Sequence, residues 1–400
     1  MSKKKVPELR FKGFNEDWEQ RKLGDLGSFK NGMNFGKESM GHGYPFVNLQ
    51  DVFGKNIVSA NNLSYADCTE GQRKEYSLLK GDVLFVRSSV KPEGVGEASL
   101  IPHDFIECTY SGFIIRFRPD VEMSDNFKRF VFSTKYIRNQ IMAKATSSAN
   151  TNINQDSLTN IKMFLPSVDE QQKIGAFFKS LDDTIVLHQE KLEKLKQLKK
   201  AYLQMMFPQN GEKVPRLRFA NFSSDWENRE FISIVNRKST SSSSNKLPKV
   251  EFEDIVAGEG RLNKDISHKF DDRRGIIFEP GNILYGKLRP YLKNWLLPDF
   301  EGIALGDFWV FEAVNSDEKF DYYLIQADKY QKVANDTTGT KMPRSDWKKV
   351  SVTSFSIPSF EEQNRIGAFF KKIDDSIALH RNNLEDLKSL KKVYLKKLFV

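Results

Sequence analysis

Three clusters in this sequence have residue types that catalysis uses. Pro298–Asp299 with Asp317–Lys319 follows the carboxylate, carboxylate, lysine order of a metal-dependent nuclease, where two acids hold a divalent cation at the scissile phosphate. Thr337–Pro343 (TTGTKMP) carries a glycine and a lysine but lacks the glycine spacing of a phosphate-cradling loop. His188 and His380 occupy the same place in two similar segments, where a metal ligand or general base is one reading. The acid–acid–lysine order has no equivalent in the first half of the chain, and such short patterns arise by chance. The histidines have no carboxylate or cysteine at ligand spacing except the Asp182–Asp183 pair, which reads as solvated helix surface. Cys68 and Cys108 stand at no zinc spacing and suit a reducing compartment. A methyltransferase of adenine would need a cofactor glycine loop and an Asn/Asp-Pro-Pro-aromatic motif, and the sequence has no Pro-Pro pair. The expectation is a chain with no catalytic residue, no metal and no cofactor of its own.

The polar loops point elsewhere. The net charge of +9 and pI near 9.2 favour a polyanionic partner. In VRSSVKPEGVGEA, Arg87 and Lys91 suit phosphate or guanine, and Ser88 and Ser89 are donors. The matching stretch in the second half, YGKLRPYLKN, has Lys287, Arg289, Tyr291 and Lys293, with Pro290 stiffening the backbone after Arg289. A second pair of loops, KATSSANTNINQ and DTTGTKMPRSDW, adds Ser147, Ser148, Asn150 and Asn152, then Thr340, Lys341 and Arg344. Asparagine amides suit adenine and arginine suits guanine. The serine-rich stretch Arg237–Lys246 reads as a flexible surface loop.

These loops recur because the chain is a tandem repeat. VPELRFKGFNEDWEQRKL at Val6 returns as VPRLRFANFSSDWENREF at Val214. Between the markers YPFVNLQDV resembles LPKVEFEDI, with strand-like alternation, and KGDVLFVRSS resembles PGNILYGKLRP. The segments that follow are far more alike: 23 of the 39 aligned positions are identical between Asp169–Phe207 and Glu361–Phe399. Each copy opens on a proline, a capping serine (Ser167, Ser359) and a glutamate three residues on (Glu170, Glu362), the signature of a capping box.

The copied segments read as long helices. Apolar positions at Ile174, Phe178, Leu181, Ile185, His188, Leu192 and Leu195 alternate in steps of four and three, as do Ile366, Phe370, Ile373, Ile377, His380, Leu384 and Leu387. That is a coiled-coil seam, with the two histidines as polar register positions. A helix of this length spans roughly 58 Å, whereas the linker Pro208–Pro215 reaches at most about 28 Å. Antiparallel pairing therefore suits the connection, with one globular domain at each end of a pseudo-two-fold rod. The expected class is α+β: two mixed, mostly β domains at 1–165 and 208–357, and helices at 166–207 and 358–400.

With LPSVDEQQKIGAFFKSLDDTI and its copy IPSFEEQNRIGAFFKKIDDSI, the paired VPxLRFxxFxxDW markers and ILYGKLRPYL, the whole chain resembles the specificity subunit of type I restriction–modification enzymes. The resemblance implies two target recognition domains, each reading one half of an asymmetric split site in double-stranded DNA. It implies helices that set the spacing and dock two methyltransferase subunits, with restriction/translocase subunits joining them. S-adenosylmethionine, ATP and Mg are then expected on those partners, in the cytoplasm and away from membranes, since MSKKK precedes no apolar run. Two other classes stay open at this point: a coiled-coil adaptor that binds proteins alone, and the metal nuclease.

Overall fold

The computed structural model describes residues 6–147, 150–209, 211–336 and 342–400. The chain forms two compact units, residues 1–188 with 383–400 and residues 189–382. The two long helices, Val168–Met206 and Phe360–Lys397, each contribute one half to each unit. In the first unit an antiparallel sheet runs in the order Gly27–Asn31, Ile114–Pro119, Val83–Val86, Ala98–Leu100. The second unit repeats it with Val235–Lys238, Phe308–Ala313, Ile283–Gly286 and Trp295–Leu296. The turn before each central strand is a glycine in the left-handed region, Gly81 and Gly281, at φ 88° and 87°. YPFVNLQDV is strand only as far as Val47. Asn48 then caps a helical turn, and the Asp51 carboxylate accepts the Asn48 N–H. The serine-rich stretch is likewise built into sheets, Val235–Lys238 and Ser241–Ser242, the latter paired with Gly275–Phe278.

The repeated markers tie the helices together. In the first unit Arg10 donates from Nε and Nη2 to the two carboxylate oxygens of Glu170, both at 2.7 Å, and Trp18 Nε1 donates to the same carboxylate at 3.1 Å. The Leu9 N–H donates to the Lys397 carbonyl, one of the orphan acceptors at the end of the second long helix. In the second unit Arg218 grips Glu362 with the same two 2.7 Å bonds, and Leu217 N–H donates to the Met205 carbonyl. The capping box is thus half formed: Ser167 and Ser359 accept the Glu170 and Glu362 N–H groups at 3.4 Å, but the glutamate side chains turn to arginine.

Within each unit the halves of the two long helices run antiparallel, and their contacts repeat. Phe177 packs edge-on against Tyr394 at 5.0 Å, as Phe369 does against Tyr202 at 5.0 Å. Phe178 stacks on Phe399 and Phe370 on Phe207. Lys391 pairs with Asp182 at 2.5 Å, and Lys199 with Asp374 at 2.7 Å. Asp182 is therefore not solvated surface. It is half-buried, and it also accepts from Asn56 Nδ2 of the globular part, as Asp374 accepts from the Tyr323 hydroxyl. Only Asp183 and Asp375 follow the surface reading, paired with Lys179 and Lys371 one turn away. A Cβ on Gly175 would lie 2.6 Å from the Phe127 nitrogen, and one on Gly367 3.0 Å from the Phe320 nitrogen. The glycine of GAFF lets a short helix of the globular part touch the long one.

The seam is buried at Ile174, Phe178, Leu181, Ile185 and Leu192, and at Ile366, Phe370, Ile373, Ile377 and Leu384. His188, Leu195, His380 and Leu387 are half-buried. Ile174 and Phe178 are not purely helix-to-helix positions: they join Trp18, Phe127 and Phe130 in the main core of the first unit. Burying each such side chain contributes about 1.5–3 kcal/mol, so helix and globular part stabilise one another. Cys108 is buried in the neighbouring cluster, and burial pushes its thiol up to about 12. The acid of the nuclease-like pattern serves the fold instead, since Asp317 caps the helix Glu318–Leu324 by accepting the Phe320 N–H at 2.8 Å.

Candidate nucleic-acid interface

In the first unit the chain emerging from Val83–Val86 continues as a two-residue strand, Ser88–Ser89. It pairs with Thr151–Asn152, which pairs in turn with Thr146–Ser147. Backbone pairing thus joins the two loops that hold the candidate contacts of this half. Ser88 and Ser89 are buried by it, and their side chains do not reach the surface as the sequence suggested. Beyond them Val90 is 83% exposed and Lys91 exposed. Arg87 is half-buried, with Nη1 donating to the Gly112 carbonyl at 3.2 Å. Asn152 donates to the Asn150 carbonyl at 2.9 Å, both residues being half-buried, while Ser147 is exposed. Ser148 lies outside the described residues. A groove of about 570 Å³ runs along this assembly, lined by Gln50, Ser88, Val90, Lys91, Phe113 and Asn150 among others.

The second unit brings its two loops together in the same manner. Leu288 and Arg344 form an antiparallel bridge, Arg289 N–H donates to the Pro343 carbonyl at 2.7 Å, and Ser345 N–H to the Lys287 carbonyl at 2.8 Å. Arg289 and Lys293 both hold left-handed backbones, at φ 48° and 56°, around the turn Pro290–Leu292. Non-glycine residues adopt that region at a cost and cluster where geometry serves function. The turn presents Tyr291, 56% exposed, between the two cations. Arg289 Nε is buried without an acceptor among the described residues. Asp307 accepts from Arg344 at 3.0 Å and pairs with Lys287 at 3.5 Å. Burial would raise the Asp307 carboxyl, but Arg344 and Lys287 hold it below the usual carboxylate range. Thr340 and Lys341 lie outside the described residues.

The family profile for the type I restriction modification DNA specificity domain matches residues 15–197 and, again, 223–389. The chain belongs to this family. Two proteins of Methanocaldococcus jannaschii, bearing the names of the MjaX and MjaVIII type I restriction enzyme specificity subunits, are 23% and 20% identical to it over 400 and 409 residues. Each match covers 94% of this chain and 91% of the relative. The crystal structure of a type I restriction–modification S subunit from M. genitalium shares the fold, with a TM-score of 0.62 at 16% identity and 99% of both chains covered.

This specificity subunit carries site features that residue types alone did not expose. Phe113, 55% exposed, borders the groove of the first unit from the turn before Ile114–Pro119, and Asp307 meets the second pair of loops from the bend before Phe308–Ala313. Neither lies in a loop rich in donors or cations, so composition offered no signal for them. Specificity subunits serve DNA target recognition and are non-catalytic as a family. No helix among the described residues is long and apolar enough to cross a membrane.

Proposed function

We propose that each unit of this specificity subunit reads one half of a bipartite, asymmetric duplex target. The long helices set the gap between the halves and dock two methyltransferase subunits. Base-edge and phosphate contacts fall to Arg87, Lys91, Ser147, Asn150 and Asn152 in one unit. In the other they fall to Lys287, Arg289, Tyr291, Lys293 and Arg344. Catalysis belongs to the partners, which hold S-adenosylmethionine, ATP and Mg, the last two with the restriction/translocase subunits in the cytoplasm.

The observation that carries this reading is a contrast inside the molecule. The ion pairs of the framework repeat, from Arg10–Glu170 and Arg218–Glu362 to Lys391–Asp182 and Lys199–Asp374. The loops on that framework carry different side chains, with serine and asparagine beside Arg87 and Lys91 in one unit and a cluster of lysine, arginine and tyrosine in the other. A common scaffold with dissimilar reading loops suits two dissimilar half-sites, because phosphate contacts position a protein while base-edge contacts specify it. Replacing residues 208–357 with the corresponding segment of a relative tests it, with methylated adenines mapped by single-molecule sequencing in a host expressing the partners. One half of the methylated sequence should change and the other persist. A change in both halves, or in neither, refutes the assignment.

A further inference from the structure

Each unit has a crevice between its globular part and the long helices, bordered by the same turn. In the turns Val52–Lys55 and Val256–Glu259 the third residue is a left-handed glycine, Gly54 or Gly258, both at φ 73°. Each turn closes with a 3.1 Å bond, from Lys55 N–H to the Val52 carbonyl or from Glu259 N–H to the Val256 carbonyl. The last residue of the turn therefore occupies equivalent places, and it is an acid in one unit and a base in the other. In the second unit the Glu259 carboxylate bridges both long helices, reaching Lys196 at 3.3 Å and Arg381 at 2.9 Å, as well as Arg261 at 2.7 Å. The crevice there holds about 290 Å³.

In the first unit Lys55 brings no carboxylate, and the crevice is about 740 Å³. Its lining has four cations, Lys55, Arg129, Arg138 and Lys391, against the carboxylates Glu97 and Asp182. Glu97 already accepts the Gly54 N–H at 2.7 Å, and Asp182 is shared by Asn56, Arg129 and Lys391. The Arg129 side chain is only 10% exposed, and its Nε has no acceptor among the described residues. Arg138 donates from Nη2 to the Glu93 carbonyl at 2.6 Å, but its Nη1 is buried without an acceptor among the described residues, and burial pushes that guanidinium below its ordinary value. Buried guanidinium N–H groups left without acceptors are costly, and a planar fork of donors matches a phosphoryl group.

We propose that the crevice of the first unit is a phosphoryl-binding site, in which an anion takes the role that the Glu259 carboxylate plays in the second. The phosphoryl group comes either from a free phosphate or from a DNA backbone, and the site is independent of which loops read bases.

The test uses the full chain in chloride buffer, with inorganic phosphate and pyrophosphate as probes at matched ionic strength, read by titration calorimetry and thermal unfolding. One saturable site and a rise of a few degrees in Tm are expected, since a ligand that binds only the folded state stabilises it. The Arg129→Gln/Arg138→Gln double variant should lose both signals. Lys55→Glu, which supplies the second unit's carboxylate at the same turn position, should keep the native circular dichroism and weaken phosphate binding at least tenfold. A parallel arm titrates a non-target duplex at several salt concentrations. Failure of both free anions, with Lys55→Glu lowering the salt slope of duplex binding by about one, supports the site with DNA as its source. Phosphate binding unaffected by either variant, or no effect of any variant in either arm, overturns the proposal.

Discussion

Glu170 and Glu362 show how much one side chain can decide. Each is 1% exposed at its side chain and faces an arginine from a marker more than 140 positions earlier. Replacing one partner of such a pair leaves the other charge poorly compensated, at about 3–5 kcal/mol when both are fully buried. Arg10 keeps 16% of its exposure, so Glu170→Gln should cost somewhat less, about 2–4 kcal/mol by the same reasoning. Urea denaturation of the full chain reads this as a lower midpoint, and an unshifted midpoint would refute the clamp. Asp307 makes a second prediction at this scale. Its carboxylate holds Arg344 and Lys287, so Asp307→Asn frees two cations on the candidate DNA face. Binding to non-target duplex should tighten several-fold, and the salt slope should steepen by about one. A binding isotherm with unchanged slope would count against these residues meeting phosphate. Residue types were informative for Lys91, Tyr291 and Lys293, which are exposed, but not for Ser88 and Ser89. Whether a serine reaches solvent depends on a strand partner sixty residues away, which its own neighbourhood does not specify.

Among the elements, the long helices were the most legible. Their apolar spacing and serine caps are local features, and the starts at Val168 and Phe360 follow from them. The short strands were less so. NLQDV alternates like a strand, yet Asn48 and Asp51 cap each other's backbone and turn it into a helix start. Three or four residues of pattern are too few to outweigh one capping interaction. The helices also carry the ruler prediction. Four residues added to each long helix lengthen it by roughly 6 Å, close to two base pairs at about 3.4 Å each. The gap in the methylated sequence should widen accordingly, and mapping that finds the original gap would refute the helices as spacers.

For the whole molecule, the decisive fact is that the first unit is completed by a distant part of the chain. Residues 383–400 supply Tyr394, Leu398 and Phe399 to the first unit, where Phe399 meets Phe127 and Phe178. A chain cut after Phe207 loses that cover and exposes an apolar helix face. It retains Tyr202 and Phe207, which occupy the places of Tyr394 and Phe399 in the second unit. Residues 1–207 should therefore form a homodimer in which each copy completes the other, as light scattering after size exclusion can measure. A stable monomer with native circular dichroism would show that the cover is dispensable.

The sequence by itself determined the repeat, the helices and their seam, and the location of the variable loops, because periodicity, capping and identity between copies are local or internal comparisons. Tertiary structure alone decided what the repeated residues do. The arginine of each marker meets the glutamate of a helix start, the first aspartate of each DD pair meets the lysine of the other helix, and the turn ending in Lys55 or Glu259 leaves one crevice open and the other bridged. Those pairings join residues as far apart in the sequence as Asp182 and Lys391. Their energy comes from burial and charge geometry, which exist only once the chain has closed on itself.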